Sequence, residues 1–176
     1  YGVEFVRDPG STALGRALRR ALLHTATPLS PLAEALLFIG GRVQLVHERI
    51  RPALGRGRIV ICDRFHDSTL AYQGCGGGVD VAWLDRTGRR AIHNVMPSLT
   101  ILLDLPTAMG FARLRRQHDR MERKTRAFHE QVRSGYVRLA RREPGRISVI
   151  DASQPPDIVR RQVAAVVMRR LARSGT

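Results

Sequence analysis

The densest chemistry in the sequence lies in the run Asp63-Arg64-Phe65-His66-Asp67-Ser68-Thr69-Leu70-Ala71-Tyr72-Gln73-Gly74. Asp63 and Arg64 close a continuous apolar stretch, Arg58 to Cys62, that reads as a buried strand. At the carboxyl end of a strand a carboxylate can hold hydrated magnesium, and a guanidinium can bind a phosphate. Ser68, Thr69, Tyr72 and Gln73 recur at helical offsets of three and four, a spacing that lines one wall of a pocket. An ordinary strand-to-helix connection does not need such a concentration of polar groups.

Three further constellations are weaker alone. Arg7-Asp8-Pro9-Gly10-Ser11-Thr12 follows a short strand, and an Arg at that exit can offer its guanidinium to a phosphate. The plainer account is a strand-exit turn carrying a surface Arg. Phe38 and Arg42 stand one helical turn apart, a ring to stack on a flat base and a guanidinium to bond its edge; a core Phe beside a surface Arg is the plainer account. The stretch Arg113-Leu114-Arg115-Arg116-Gln117-His118-Asp119-Arg120-Met121-Glu122-Arg123 reads either as a lid of cations over phosphates or as a solvated basic face.

These groups need a scaffold, and the pattern supplies one. Gly2 to Val6 is strand-like and stops at Asp8-Pro9-Gly10. Leu14, Leu18, Ala21 and Leu22 predict a helix to His24, with Ser11 or Thr12 as its cap. Ser30-Pro31 opens a long helix whose stripe Leu32, Leu36, Ile39, Val43, Val46 and Ile50 runs until Pro52 bends or ends it. Ser98 to Asp104 and Arg146 to Asp151 repeat the design of apolar strand followed by acid. Helices are expected from about Thr107 to Arg142, interrupted, and from Pro156 to Arg173. Strands without polar alternation are covered on both faces, so the class is α/β: one domain with a doubly wound parallel sheet and flanking helices.

Composition narrows the partners. Among 176 residues, 30 bases face 15 acids, and residues 113–176 hold 16 Arg and one Lys against six acids. That basic half suits an anion, either a nucleotide triphosphate or a nucleic acid. A hydrophobic share of 43% excludes a disordered basic tail, and no apolar run is long enough for a membrane span. Cys62 and Cys75 are too few for a disulfide framework, which points to free thiols and a cytoplasmic setting. The six histidines show no ligand spacing.

Taken together, Arg7 to Thr12, Glu34 to Gln44, Asp63 to Asp80, Asp119-Arg120-Met121-Glu122 with Phe128-His129, and Val149 to Gln154 resemble the bacterial thymidylate kinases, in family order across essentially the whole chain. The resemblance implies a nucleoside monophosphate kinase fold of the P-loop type, and transfer of the γ-phosphoryl group of ATP to dTMP with Mg²⁺. It implies that Phe38 stacks on thymine and Arg42 bonds its edge, and that Arg64 and Arg7 hold the dTMP phosphate. Asp63 then organises magnesium, Ser68 or Thr69 touches the base, Tyr72 crowds the 2′ position of the sugar, and Gln73 completes the pocket. Arg113, Arg115 and Arg120 fall where lid arginines lie, within a lid of about 113–126. Asp151, Ala152 and Ser153 fall where adenine rests, and the family forms homodimers through its long helices.

Asp8, Ser11, Phe65 and Gly41 depart mildly from the family pattern. A larger departure is that no Gly-x-x-x-x-Gly-Lys-[Ser/Thr] occurs, and the only lysine is Lys124. Phosphoryl transfer in this fold depends on such a loop. The expectation is therefore that a strand, loop and helix of about 30 residues belong upstream, with the strand central in the sheet. Without it the chain can bind dTMP but does not turn over ATP. The competing expectation is a non-catalytic, Arg-rich kinase-like domain that binds nucleic acid or an assembly, recognisable by salt-sensitive affinity for RNA or DNA.

Overall fold

A computed structural model describes residues 2–24, 28–113 and 119–174. Its strands are β1 (Val3–Arg7), β2 (Ile59–Asp63), β3 (Thr100–Asp104) and β4 (Ile147–Asp151). Its helices are α1 (Ala13–His24), α2 (Pro31–Leu45), α3 (Arg51–Gly55), α4 (His66–Thr69), α5 (Val81–Ala91), α6 (Thr107–Arg113), α7 (Arg126–Arg142) and α8 (Pro156–Ser174). Two π-helical turns, Val46–Ile50 and Leu70–Gly76, extend α2 and α4.

All pairing is parallel, as the unbroken apolar strands predict. The described strands form two pairs, β1–β2 and β3–β4, with the break between β2 and β3. The register sets Arg7 opposite Asp63 and Asp104 opposite Asp151, so each pair ends in polar groups at its carboxyl edge. Among the described residues no ladder joins β2 to β3. Packing and charge hold the pairs together instead. Asp67, just past β2, receives two 2.8 Å hydrogen bonds from Arg146 beside β4 and one of 3.2 Å from Thr100 of β3.

The helices begin where local chemistry allows. Thr12 accepts from Gly15 N at 2.9 Å, Ser30 from Ala33 N at 3.2 Å, Asp80 from Trp83 N at 2.7 Å and Thr125 from Phe128 N at 3.2 Å. The long helix does not run unbroken to Ile50. Pro52 offers no N–H to the turn before it, and there the backbone widens to the π form. Its apolar stripe also divides: Ile39, Val46 and Ile50 are buried, whereas Leu32, Leu36 and Val43 are exposed. Core residues gather in three groups. Ala35, Ile39, Leu70, Leu84, Leu139 and Ile147 tie α2, α5 and α7 to β4. Val6, Leu45, Val46, Ile50 and Ile92 cover the β1–β2 pair. Ala71, Met121, Phe128 and Val132 seat α7 on the second π-helical turn. At that contact Gly135 permits close approach, since a Cβ there would lie 2.8 Å from Cys75 Sγ.

Below α4, His66 is fully buried and bonds Asp85 Oδ1 through Nε2 at 3.0 Å, while Nδ1 has no partner. The ring fits only because residue 88 is glycine: a Cβ there would lie 2.3 Å from Cε1. Burial, with help from the Arg42 charge, pushes the His66 pKa below its ordinary value. The unfolded chain then binds the extra proton, so this contribution is present above about pH 6.5 and is lost as pH falls. The expected result is a melting temperature that drops between pH 7.5 and 5.5 by about 2–4 °C per unit, with most of the drop gone in His66→Leu. Melting curves of both proteins across that range test it.

Candidate active site

The connection after β2 makes a sharp change of direction. Arg64 sits at φ +66°, a left-handed conformation rare outside glycine, and such strain, about 1–3 kcal/mol, collects where a side chain must be aimed. Its guanidinium lies 5.2 Å over the ring of Tyr72. Arg7, at the end of β1, is held by Asp63 through a 2.8 Å bond from Nε. The two arginines thus lie beside one another at the carboxyl ends of adjacent strands.

A cavity of about 330 Å³ opens there, and Arg7, Phe38, Arg42, Asp63, Arg64, Ser68, Thr69, Tyr72 and Gln73 all line it. Beside it a more open hollow of about 420 Å³ is lined by Arg7, Arg16, Arg19 and Arg20, so the approach is strongly cationic.

Arg42 proves to be a buried residue, at 1% exposure. Its Nε bonds Asp8 Oδ2 at 2.5 Å, and its Nη2 bonds Thr69 Oγ1 at 2.9 Å and Phe65 O at 3.4 Å. Nη1 of Arg42 and Oδ1 of Asp8 have no partner. Burial pushes the Asp8 carboxyl up against the pull of Arg42. Arg42 is among the residues that line the cavity, although its Nη1 is itself enclosed by protein. Helices α1 and α2 approach closely at Gly41, where a Cβ would lie 3.1 Å from Leu18.

The aromatic wall is fixed from behind by a residue the sequence did not single out. Tyr136 on α7 bonds Ser68 Oγ through its hydroxyl at 2.7 Å, and its ring stands edge-on to Tyr72 with centroids 6.4 Å apart. Burial pushes its phenol up to about 12, so it stays neutral. Phe128 meets the other side of Tyr72 at 6.1 Å. Cys62 is equally protected: burial pushes its thiol up to about 12.

The other candidates divide. Arg113 reaches the carbonyls of Ala152 at 2.9 Å and Ser153 at 3.4 Å, which brings it together with the loop after β4 but away from the cavity. Asp151 is held below its usual range by the hydroxyl and N–H of Ser153 and by Gln154. Arg115 lies outside the described residues. Arg120 turns inward: it bonds Glu34 Oε1 at 2.6 Å and Leu22 O at 2.7 Å. The following turn is closed reciprocally, Asp119 Oδ1 accepting from Glu122 N at 3.0 Å and Glu122 Oε2 from Asp119 N at 3.0 Å. Asp119, Met121, Glu122 and His129 also line the cavity. Asp8 and Glu34 were legible only as acids in apolar or turn settings, and their partners lie far off in sequence.

Asp63 meets the modest needs of magnesium, which takes one or two carboxylates when phosphates and water supply the rest. Among the described residues no group of three or more His, Cys, Asp and Glu side chains could form a cage for a metal by itself. Among them also, no helix is long and apolar enough to cross a membrane.

Comparison with known proteins agrees with this geometry. A family profile described as thymidylate kinase matches residues 1–163. The chain is 46% identical over 170 residues to a thymidylate kinase of Thermomicrobium roseum, spanning 95% of this chain and 80% of that protein. It is 42% identical over 172 residues to one from Deinococcus radiodurans, spanning 97% and 84%. The crystal structure of thymidylate kinase from Ehrlichia chaffeensis superimposes with a TM-score of 0.76 at 32% identity, covering 94% of this chain and 80% of that one. With a family profile over most of its length, relatives at 46% and 42% identity and a shared fold, the chain belongs to the thymidylate kinase family.

Proposed function

We propose that this chain binds dTMP in the 330 Å³ cavity and forms the acceptor half of a kinase that moves the γ-phosphoryl group of ATP to dTMP, giving dTDP. The observation that carries the reading is the meeting of Phe38, Arg42, Tyr72 and Gln73 with Arg7 and Arg64 in the lining of one cavity. In this reading Phe38 stacks on the base, Arg42 bonds its edge with Ser68 or Thr69 nearby, and Tyr72 crowds the 2′ position against ribose. Arg7 and Arg64 hold the phosphate, which needs fixed cations because charge moves over its oxygens during transfer. Asp63 would hold magnesium, which neutralises phosphate charge when bound. Arg113 with Asp151, Ala152 and Ser153 forms the adenine end; of the lid expected at about 113–126, residues 114–118 lie outside the described residues.

The division of the strands into two pairs, with Ile61 and Leu103 exposed, favours a fifth strand between them, the one expected to bring the phosphate loop. No such loop is encoded in the 176 residues. The working enzyme then needs that segment, and these residues alone bind the acceptor without consuming ATP. The exposed stripe Leu32, Leu36 and Val43 on α2 suits pairing with a second copy, hence a homodimer, in a cytoplasmic setting. The nucleic-acid reading is not favoured, because the family match and the base pocket both point to a small nucleotide.

The experiment is dTMP-dependent ADP formation from ATP and Mg²⁺. The 176-residue chain is expected to be silent, and the same chain joined at its N-terminus to a strand, phosphate loop and helix is expected to turn over. ADP formation by the unextended chain would contradict the requirement for that segment. Silence from the extended one would contradict the kinase reading.

A further inference from the structure

The two cavity arginines at the strand ends are held by different means. Arg7 bonds Asp63 at 2.8 Å, whereas Arg64 has no carboxylate within ion-pair distance among the described residues. Arg64 is exposed and leaves the backbone at φ +66°. What holds it is a ring: its guanidinium carbon lies 5.2 Å from the centre of Tyr72. A carboxylate takes up the N–H donors of a guanidinium and offsets its charge. An aromatic face stacks on the plane of the group and leaves the edge donors free for an oxyanion. The stack is only as well placed as the ring of Tyr72, which stands on the π-helical turn Leu70–Gly76.

That ring is braced from α7. Tyr136 meets Tyr72 edge-on, with centroids 6.4 Å apart and planes at 81°, inside the range of a favourable aromatic pair. Its far end is tethered, because the hydroxyl donates to Ser68 Oγ on α4 at 2.7 Å. Helix α7 comes close enough for both contacts because residue 135 is glycine, where a Cβ would fall 2.8 Å from Cys75 Cβ on the same π-helical turn. Tyr136 does not itself line the cavity, so it acts on a ligand only through the residues it holds. We infer that Tyr136 is the positioning residue for Arg64: tethered to α4 and edge-on to Tyr72, it fixes the ring on which the guanidinium rests and so sets the phosphate contact of the acceptor nucleotide. This rests on the dTMP-binding reading above. Arg7 and Arg64 are then placed independently, one by a carboxylate and the other by an aromatic relay from α7.

The test is NMR titration of the full chain and of Tyr136→Leu with dTMP and with thymidine, which lacks the phosphate. Thymidine affinity reads the base and sugar end, and the ratio of the two affinities reads the phosphate contact. Tyr136→Leu is expected to lower the ratio of dTMP to thymidine affinity about tenfold, the scale of one charge-assisted hydrogen bond, with thymidine affinity within about twofold of the unsubstituted chain. Tyr136→Phe keeps the ring edge and is expected to hold most of the ratio. An unchanged ratio in Tyr136→Leu, an equal fall in both affinities, or Tyr136→Phe no better than Tyr136→Leu would overturn the inference and leave the dTMP reading standing. No dTMP binding by the unsubstituted chain would overturn both. If Tyr136→Leu fails to fold, the unsubstituted chain still decides. Its Tyr136 ring protons are expected to show Overhauser contacts to the Tyr72 ring, and the Arg64 side-chain protons to lie upfield of ordinary arginine values under the Tyr72 ring current. The absence of either would overturn the proposal.

Discussion

Arg42→Met is expected to abolish measurable dTMP binding and to lower stability by about 3–5 kcal/mol, the cost of breaking a buried ion pair by removing one partner. Both side chains of the Arg42–Asp8 pair are essentially closed to solvent, at 2% and 0% exposure. Methionine fills the space but leaves Asp8 with no counter-charge in a place where burial already favours its protonated form. In the variant the folded pKa of Asp8 lies above its unfolded value, so the folded state binds the proton more readily. Asp8's contribution is then most favourable below the unfolded pKa and is lost as pH rises through the raised folded value. The deficit of Arg42→Met is therefore expected to shrink on acidification, and Asp8→Asn in the same chain should restore part of the stability without restoring dTMP binding. Denaturant titrations at several pH values and calorimetry with dTMP separate the two effects. A loss below about 1 kcal/mol would contradict the burial argument.

The second large effect belongs to the Asp67–Arg146 bridge. Its side chains are 7% and 13% exposed, and Arg146 also bonds Thr100 Oγ1 at 3.0 Å and Glu143 Oε2 at 2.6 Å. The bridge therefore ties α4 to both strands of the other pair, across a gap with no described backbone ladder. Arg146→Met should cost about 3 kcal/mol, or roughly 6–12 °C in melting temperature for a chain of this size. Because Asp67 adjoins Ser68 and Thr69, dTMP affinity should fall as well, and amide exchange should quicken in α4 before it does in α7. A melting temperature within about 2 °C of the unsubstituted protein would show that packing alone joins the two halves.

The parallel α/β class, the four strands and the gathering of Ser68, Thr69, Tyr72 and Gln73 on one cavity were legible because each rests on local signals: apolar runs ending in acids, caps, and a polar cluster at helical spacing. What was not legible depends on distant partners. The burial of Arg42 is set by Asp8, 34 residues away, and nothing adjacent to Arg42 announces it. The inward turn of Arg120 is set by Glu34, 86 residues away, and arginine density cannot tell a cation facing phosphate from one facing a buried carboxylate. Periodicity found the apolar stripe of α2 but not its division into core and exposed faces. Helix α5 went unread because arginines and an exposed Trp83 blur its apolar side, although Asp80 supplied a usable cap.

The central claim is that this chain carries a preformed dTMP pocket. Calorimetric titration of the 176-residue chain with dTMP tests it most directly. The expected result is saturable one-to-one binding that is lost in Arg64→Ala and weakened by salt, since a phosphate held by Arg7 and Arg64 is a charged contact. No saturable binding of dTMP, or binding indifferent to Arg64, would contradict it.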